Sequence, residues 1–469
     1  MSAPTPQPYD TIVIGLGSAG TTAASTLAQA GKRVLALEAQ DRIGGRVNTV
    51  PFGDGLVEVG AEWIHGTQPS RVYDLAIANH VTLIPQELEF EVYRSDGTTA
   101  DTELVKELLM YCIEVIETPP DKPEALGHFI TRKLNDYLKE KHPDVPQNKE
   151  FIDSFLAFMN LLINNYEAAN DWNDVSAYTK YEDLGGHQHM SWHRYGYKTF
   201  FDILLNKYNN GPGLPTLEIK LNTEVTKIIW PQDPKESVAV TTKDGTIYTA
   251  NNVIVTVSLG VLKERHLTLF QPRLPPKNIA AIDFISMGVI DKIIISFKEA
   301  WWLRTISFYA FIWTKDELGQ VGRDDTWITK IFGASTPRGS NNTLTLWTNG
   351  DMAKLVETLP EEVVKRKVVE LLRRFMGHKY TIPEPTGMIR STWFTNPFTR
   401  GSYTYDNLDV SKHPTARADL GAPLLDSAMK PRVLFAGEAT NEIHFSTVHG
   451  ASETGYREAM RLLPTDSKI

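Results

Sequence analysis

Strand and helix patterns alternate at the start of the chain. Residues 9–14 (YDTIVI) form a short apolar run rich in β-branched side chains, which predicts a strand that ends at Gly15. The small residues 21–30 (TTAASTLAQA) suit a helix, and Gly31 stands where such a helix is expected to end. Residues 34–38 (VLALE) predict a second strand. The pattern indicates a β–turn–α–β unit with a parallel sheet.

The rest of the chain mixes both kinds of element. Helices are predicted within residues 102–141, 151–167 and 360–377, strands within 217–230 and 238–257, and a closing strand, glycine turn and helix within 432–463. Asp244 and Gly245 give the hairpin signal between two of these strands. We therefore expect an α/β fold whose nucleotide-binding domain is assembled from discontinuous pieces, with helical and sheet insertions between them.

Length and charge narrow the classes of function. The chain has 469 residues, enough for two domains, and its 42% hydrophobic and 22% charged residues are ordinary for a globular protein. The formal net charge of −9 argues against nucleic acid as a partner. No window reaches the run of about 18 apolar residues that a membrane span needs. No set of metal ligands is predicted.

Two features bear on the compartment. Cys112 is the one cysteine, so no intramolecular disulfide forms, and a reducing compartment fits. The start is proline-rich and polar, without the apolar core of a signal peptide. The closing tripeptide SKI, residues 467–469, differs from the peroxisomal address SKL only in its last aliphatic residue. Peroxisomal and cytoplasmic locations both remain open.

A glycine-rich turn after the first strand predicts a dinucleotide site. Gly15 allows a tight turn, Gly17 lets the backbone approach a pyrophosphate, and Gly20 lets helix and strand pack closely. The helix N-terminus then offers free N–H groups to the phosphates. Glu38 ends the second strand, where a carboxylate can accept from ribose hydroxyls.

A second glycine turn follows this glutamate. Arg42, Gly44, Gly45 and Arg46 form RxGGR, and the two arginines could hold the pyrophosphate from its other side. The alternative is a solvated basic loop. Taken alone, the segment does not decide between the two interpretations.

Several segments together resemble the flavin-dependent amine oxidases, and among them the polyamine oxidases. The resemblance rests on RxGGR, on GAEWIHG at 60–66, on the strand around Lys292, on WFTNPFTRGSY at 393–403, on LFAGEAT at 434–440 and on STVHGASETGYREA at 446–459. These segments cover nearly the whole chain. The resemblance implies a glutathione-reductase-like FAD-binding Rossmann domain and an α+β substrate domain with a mixed sheet and helices. Its expected pieces are residues 1–90, 200–290 and 395–469 for FAD, and 91–199 and 291–394 for the substrate.

The resemblance also implies how FAD is held. Besides the two glycine turns, it places Glu38, Arg46 and Val225 on the adenosine and pyrophosphate side, Glu438 at the ribitol or a phosphate, and Val448 near the isoalloxazine. Gly437 would permit close approach to the flavin, and Trp393 would complete the pocket beside it. Gly437 could equally be a plain turn glycine. Since no cysteine lies near the C-terminal segments, the flavin is expected to be non-covalent.

Lys292 lies inside the apolar run SMGVIDKIIISF, where a lysine is unusual. Alternation places it on one face with Gly288, Ile290 and Ile294, while Asp291 points the other way. One interpretation is a lysine that guards an exposed edge strand. The resemblance implies instead a catalytic lysine that binds water beside the flavin and stabilises negative charge there.

The resemblance gives a second catalytic candidate and a set of substrate-binding residues. His65 would line the substrate tunnel and hydrogen-bond an amine, although a lone histidine is often structural. The other candidates are Trp63, Glu182, Tyr403, Ser446 and Thr447. The aromatic members suit methylene chains and ammonium groups, with core packing as the alternative. The two hydroxyl residues could bind a distal amine or could serve only the turn before the last helix.

The chain also departs from the family pattern. Ile290 stands where some relatives have a tyrosine, and Lys180 stands where a carboxylate is expected, so Glu182 is taken as its substitute on the same face of a regular strand. These departures leave the substrate open.

The function implied is FAD-dependent oxidation of a polyamine (spermine, spermidine or an acetylated form) at a secondary amine. The products would be an aldehyde, a shorter amine and hydrogen peroxide, with molecular oxygen as acceptor and with no nucleic acid or membrane as partner. The alternatives are another flavin amine oxidase, acting on monoamines, amino acids or protein lysines, and a non-catalytic flavoprotein that serves as a binding module. The oligomeric state is left open.

Overall fold

The computed structural model describes residues 8–98 and 100–464. Its helices, numbered in chain order, are α1 (Ser18–Gln29), α2 (Arg71–Ala78), α3 (Thr102–Ile116), α4 (Leu126–Lys141), α5 (Lys149–Glu167), α6 (Lys198–Leu204), α7 (Leu259–Leu269), α8 (Pro276–Phe284), α9 (Lys315–Leu318), α10 (Gly350–Thr358), α11 (Glu361–Met376), α12 (Ala416–Gly421) and α13 (Val448–Leu462). The SKI tripeptide lies outside the described residues.

The strands are grouped into two large sheets and several short ones. In chain order they are β1 (Tyr9–Ile14), β2 (Val34–Leu37), β3 (Thr49–Phe52), β4 (Gly55–Glu58), β5 (Trp63–Ile64), β6 (Ile84–Pro85), β7 (Phe90–Arg94), β8 (Met190–Ser191), β9 (Leu217–Lys220), β10 (Val225–Ile229), β11 (Val238–Thr242), β12 (Ile247–Val255), β13 (Phe270–Gln271), β14 (Ser286–Gly288), β15 (Ile290–Ser296), β16 (Phe308–Ile312), β17 (Gly333–Ser335), β18 (Thr343–Asn349), β19 (Gly387–Arg390), β20 (Tyr403–Tyr405), β21 (Leu424–Leu425) and β22 (Pro431–Phe435).

The first large sheet has β1 at its centre. Strand β1 pairs in parallel with β2 on one side and with β12 on the other, and β2 pairs in parallel with β9. The long β12 also pairs with the antiparallel β11 through its first half and with the parallel β22 through its second half. Alternate residues of β1 belong to different cores, since Ile12 and Ile14 pack into one and Val13 into the other. A parallel strand covered on both faces reads as a continuous apolar run, as YDTIVI does.

Helices α1 and α13 cover one face of this sheet at close range. The hydroxyls of Thr22 and Ser452 are 2.9 Å apart, and a methyl group added at Gly455 would overlap the carbonyl oxygen of Ala19. The first and last glycine-rich segments of the chain therefore meet on one side of the sheet.

The second large sheet runs in the order β19–β15–β18–β17–β16–β7. One face packs against a core that takes residues from α3, α4 and α5, and the other against a core that takes residues from α11. Strand β15 lies inside the sheet, because it pairs with β18 along its whole length and with β19 along its second half. Lys292 is opposite Trp347 and is 3% exposed. The interpretation of Lys292 as the guard of an exposed edge strand is therefore wrong.

The structure contains the predicted helices and strands, but two of the predicted stretches are each divided into two elements. The helical stretch 102–141 is split between α3 and α4 by a segment that contains Pro119, Pro120 and Pro123, because proline removes a helical N–H donor. The strand stretch 217–230 is also divided, since a turn separates β9 from β10.

The two sheets draw on different parts of the chain. The first takes strands from residues 9–37, 217–271 and 424–435, and the second from 90–94 and 290–390. The proposed domain boundaries follow the same division of the chain and stay a prediction. Within the described ranges, no helix combines the length and the apolar character that crossing a membrane requires.

The contact between α1 and α13 yields a prediction. Replacing Gly455 by alanine should lower the free energy of unfolding by about 1–3 kcal/mol, because the new methyl group meets a backbone carbonyl that cannot rotate away. In this estimate the steric clash outweighs the gain of about 1 kcal/mol that alanine brings through its higher helix propensity. Chemical denaturation measures it. The matched control is Gly319→Ala, whose added methyl would lie 3.5 Å from its nearest neighbour. Equal stability of both variants would contradict the close packing.

Candidate active site

The first glycine turn connects β1 to α1. Gly15 has a φ of +90°, and a methyl group on Gly20 would overlap the carbonyl oxygen of Gly15. The helix can therefore approach the strand only because both residues are glycine. Gly17 is the N-cap of α1, and in the described part of the chain no side chain caps this helix end. Its first N–H groups and its positive dipole end are available to an anion.

Glu38 follows β2 at the same edge of the sheet. One carboxylate oxygen accepts a hydrogen bond from the N–H of Leu16 at 2.7 Å, and the other accepts one from Gln40 at 2.9 Å. Burial raises the pKa of this carboxyl. The N–H of Thr223 donates to the carbonyl of Glu38, which brings the start of β10, at Val225, close to it. The two residues predicted for the adenosine side thus come from neighbouring segments.

The RxGGR segment folds back onto the first glycine turn. Gly45 has a φ of +58°, and a methyl group there would lie 3.1 Å from the α-carbon of Gly17. Arg42 donates to the backbone carbonyls of Gly45 and Val47, at 2.7 and 3.0 Å. Its guanidinium therefore shapes the loop that includes Gly44. The alternative of a solvated basic loop does not hold for Arg42, which is half-buried with its charge directed inward.

Arg46 connects this loop to the end of the chain. Its guanidinium donates to the carbonyl of Ser402 at 2.6 Å and to Glu438 at 2.9 Å. The second oxygen of Glu438 accepts from the hydroxyl of Thr404 at 2.7 Å and from the N–H of Ser446 at 3.0 Å. Glu438 is buried, and its carboxylate joins three segments, those of Arg46, Thr404 and Ser446.

The C-terminal segment contributes a further glycine turn, at Gly437, and the start of α13. Gly437 has a φ of +137°, and a methyl group there would meet open space. Val448 begins α13, and its carbonyl accepts from the hydroxyl of Ser18 at 2.8 Å. The hydroxyl of Thr447 caps α13 by accepting from the N–H of Gly450 at 2.9 Å, and it donates to a carbonyl at 2.7 Å.

Both hydroxyls predicted for a distal amine are engaged within the turn. The hydroxyl of Ser446 lies against Thr404, and that of Thr447 caps the helix. These contacts favour the alternative interpretation, in which the two residues serve the turn before the last helix.

Lys292 points from β15 toward the segment that precedes β5. Its ammonium donates to the carboxylate of Glu62 at 2.8 Å and to the carbonyl of Glu58 at 3.0 Å. It also lies 4.5 Å from the ring centroid of Trp347 and 5.9 Å from that of Trp63. The lysine is thus held by one carboxylate, one carbonyl and two indole faces.

Neither Glu62 nor Glu58 was predicted from the sequence as a site residue. Glu62 stands inside GAEWIHG, an otherwise apolar segment, and that placement was the available signal. The carboxylate of Glu58 accepts from the N–H of Tyr197 at 2.8 Å and from the hydroxyl of Thr49. Burial raises the pKa of Glu58 to about 7 against these hydrogen bonds.

Trp63, His65 and His189 form an aromatic cluster beside the lysine. The ring of His189 meets Trp63 edge-on at 5.4 Å and His65 at 5.7 Å. Trp63 stacks on Trp347 at 6.1 Å, which extends the cluster to β18. His189 is a third residue that sequence reasoning missed, although GGHQH carries it close to Trp63 across the β5–β8 pair.

The two imidazoles are neutral near pH 7. Burial lowers the pKa of His65, with the nearby Asp183 carboxylate opposing the effect. Burial and the neighbouring His65 lower the pKa of His189 to about 4. Nδ1 of His65 lies 2.9 Å from the carbonyl of Gln188 and must donate to it, so Nε2 is left as an acceptor.

Trp393 and Tyr403 both lie near the lysine strand, and Tyr403 packs against the same core as Trp63 and Trp347. Trp393 is buried, its ring approaches Gly60, and its backbone N–H donates to the carboxylate of Asp291 at 3.3 Å. Tyr403 lies opposite Gly288 in the β14–β20 pair and donates its hydroxyl to the carbonyl of Asn165 at 2.8 Å. Burial raises the pKa of Tyr403, and so does the charge of a neighbouring glutamate.

Asp291 points away from Lys292, as alternation predicts, into a group that holds the Trp393 segment. Its carboxylate accepts from the hydroxyl of Ser391 at 2.6 Å. Glu357 accepts from the N–H groups of the two residues after Trp393 at 2.7 Å each. Burial, and then Glu357, raise the pKa of Asp291.

The carboxylate proposed at Glu182 lies elsewhere than expected. Residues 178–184 form no strand in the structure, so the assumption of a regular alternating face does not apply. Glu182 is exposed, and Lys180 donates to the carbonyl of Pro414. The charge of Asp183 instead acts on His65 and on Tyr181. A further carboxyl, that of Glu167, has its pKa raised to about 7 by burial and by Asp406.

These features fit an FAD. The uncapped start of α1, the two contacting glycine turns and the open space at Gly437 form a cradle that larger side chains would fill, and Glu38 keeps lone pairs for ribose hydroxyls. Cys112 is buried in α3, so the flavin is not attached through a cysteine.

The comparisons agree with this arrangement. Residues 18–463 match the model of the family described as flavin containing amine oxidoreductase. The chain belongs to this flavin-containing amine oxidase family, and it is an oxidoreductase whose cofactor is FAD.

Relatives with assigned names cover almost the whole chain. The chain is 30% identical to the peroxisomal N(1)-acetyl-spermine/spermidine oxidase of Bos taurus, over 96% of this chain and 94% of that protein. It is 26% identical to polyamine oxidase 1 of Zea mays, over 96% and 90%. An engineered double mutant of putrescine oxidase has a similar fold, with a TM-score of 0.68 at 17% identity over 97% of this chain and 99% of that chain.

Glu58 makes stability depend on pH. Its pKa is about 7 in the folded chain against an ordinary value of 4.5, so the folded state keeps a proton that the unfolded state has released. This contribution is complete below pH 4.5 and is lost as the pH rises to about 7. Glu58→Gln should therefore gain about 1–3 kcal/mol relative to the wild type between pH 5 and pH 8, measured by chemical denaturation.

The matched control for this measurement is Glu140→Gln, a carboxylate whose side chain is 72% exposed. Its stability relative to the wild type should not change with pH. If the stability of Glu58→Gln relative to the wild type were equally independent of pH, Glu58 would not hold a proton at neutral pH.

Proposed function

We propose that this protein is an FAD-dependent polyamine oxidase that oxidises a secondary amine and yields an aldehyde, a shorter amine and hydrogen peroxide. The observation that carries the proposal is the cluster of neutral imidazoles and indoles beside Lys292. The relatives named as oxidases of spermine, spermidine or polyamines support it.

The imidazoles suit a secondary amine that must lose its proton before oxidation. A neutral imidazole accepts a hydrogen bond from an amine without repelling a neighbouring ammonium group, as a charged one would. His65 offers Nε2 for this purpose, and His189 lies 5.7 Å away. We assign both to amine binding, with Trp63 and Tyr403 as apolar walls for the methylene chain.

Carboxylates lie where further ammonium groups of a polyamine could bind. The charge of Asp183 acts on His65, and that of Glu167 acts on Tyr403. A polyamine carries several cations along one chain, so these two acidic groups favour it over a monoamine. Asp183 is exposed like Glu182, but its charge acts on His65, so Glu182 stays the weaker candidate for the same role.

FAD, when bound, supplies the acceptor for the hydride equivalent that leaves the substrate carbon. The protein supplies position and charge. Lys292 uses two of its three N–H donors on Glu62 and Glu58, and the third is free to orient a water molecule in the site. Such a water could hydrolyse the product imine, and the ammonium would stabilise negative charge that develops nearby.

The Bos taurus relative and one from Homo sapiens carry the word peroxisomal in their names. We propose a peroxisomal or cytoplasmic enzyme whose partners are a small-molecule polyamine and molecular oxygen.

A panel of amines tests the function. Purified holoenzyme should release hydrogen peroxide with at least one of spermine, spermidine and their acetylated forms, at a kcat/KM roughly 100-fold or more above that for benzylamine or free lysine. Mass spectrometry of the products identifies which carbon is oxidised. A preference for a monoamine, an amino acid or a methylated lysine peptide would assign another amine oxidase. Absence of peroxide with every amine would favour the non-catalytic binding module.

Lys292→Met tests the role of the lysine. Turnover should fall by about tenfold or more, because the charge and its bound water are lost, while FAD remains bound. Steady-state peroxide release and the flavin absorbance per protein measure the two effects. The control is Lys139→Met, whose side chain is 74% exposed. Unchanged rates of both substrate oxidation and flavin reoxidation in Lys292→Met would show that the assigned role is wrong.

A further inference from the structure

Glu62 has one close partner in the described structure, and that partner is Lys292. The two side chains are 2.8 Å apart, with 4% of the lysine side chain and 5% of the glutamate side chain exposed. They are separated by 230 residues in the chain. Glu62 is the closer of the two hydrogen-bond partners of the Lys292 ammonium, at 2.8 Å against 3.0 Å for the carbonyl of Glu58.

The pairing answers an electrostatic requirement. An ammonium that is buried without a counter-charge costs several kcal/mol, and it avoids that cost by releasing its proton. The faces of Trp347 and Trp63 attract the cation but carry no net charge. A full negative charge close to the ammonium is therefore needed if the lysine is to remain charged inside the protein.

Other carboxyls near the lysine do not meet this requirement. Glu58 offers its carbonyl to the ammonium, while its carboxyl is turned to Thr49 and Tyr197 and has its pKa raised by burial. Asp291 lies on the opposite face of β15, bonded to Ser391. Glu62 is thus the carboxylate that balances Lys292.

We propose that Glu62 is a positioning residue that keeps the ammonium of Lys292 charged and directed at the flavin site. The proposal rests on the proposed function, in which Lys292 acts beside the cofactor. Glu62 acts through the lysine, because both the ion pair and the adjacent carbonyl of Glu58 direct two of its N–H donors and so fix the direction of the third. The competing role for Glu62 is direct binding of a substrate ammonium.

A double-mutant cycle on flavin reoxidation separates the two roles. Wild type, Glu62→Gln, Lys292→Met and the double variant are reduced anaerobically with dithionite and mixed with oxygen in a stopped-flow spectrometer. Glu62→Gln should slow reoxidation by roughly threefold to tenfold, and it should have no further effect beyond about 1.5-fold when Lys292 is already methionine. Multiplication of the two single effects in the double variant would overturn the proposal.

This readout is independent of the substrate. Because no amine is used, coupling between the two residues can be measured even if polyamines prove not to be the substrate, and a negative amine panel leaves the result standing. Glu62→Asp retains the charge on a shorter side chain and should give a reoxidation rate between those of wild type and Glu62→Gln. An increase in the KM for amines, with an unchanged reoxidation rate, would assign Glu62 to substrate binding instead.

The thermal stability of the full-length holoenzyme gives a second readout. Lys292→Met leaves Glu62 buried and unpaired, so its Tm should fall, and adding Glu62→Gln should recover most of that loss. The exposed Glu140→Gln change serves as the control that should recover none of it in the same background. If the double variant were no more stable than Lys292→Met alone, the ion pair would not hold the lysine and the proposal would fail.

Discussion

The site depends on keeping one ammonium charged in a place that is almost closed to bulk solvent. Lys292 lies on an inner strand of a sheet, against two indole rings, and its counter-charge comes from Glu62 on a distant part of the chain. Because the carbonyl of Glu58 binds the same ammonium, the segment 58–62 also determines its direction. The lysine can serve the flavin site only while this segment and β15 keep their relative position.

A second group of buried charges holds those parts together. Arg46 binds Glu438, Glu438 accepts from Thr404, and Arg417 donates to Thr404 and to Asp406, each at 2.7 to 2.9 Å. The chain of contacts runs from the RxGGR loop through β20 to α12. Removing one member would leave its neighbours buried without a partner, which costs more than the lost hydrogen bond itself. The glycine turns provide space for the cofactor, and this network keeps the walls of that space in place.

Local features of the site could be predicted from the sequence, and distant ones could not. Gly15, Gly17, Gly20 and Glu38 lie within one β–α–β unit, whose geometry follows from short-range sterics. The pairing of Glu62 with Lys292 spans 230 residues and depends on the topology of both large sheets. The alternation rule gave the correct faces for Lys292 and Asp291 because β15 is a regular strand. The rule failed at Glu182 because residues 178–184 form no strand.

The distribution of charge in the site bears on the protonation state of an amine that binds there. Near the lysine the site is almost neutral, since the ammonium is paired and His65 and His189 are uncharged. An amine that enters this region therefore gains little by keeping its own proton, and the acceptor nitrogen of His65 can bind its free-base form. Asp183, which acts on His65, and Glu167, which acts on Tyr403, favour cations, and a cation bound beside Glu167 would lower its raised pKa. A substrate with one amine to be oxidised and others that remain charged matches this gradient better than a monoamine does.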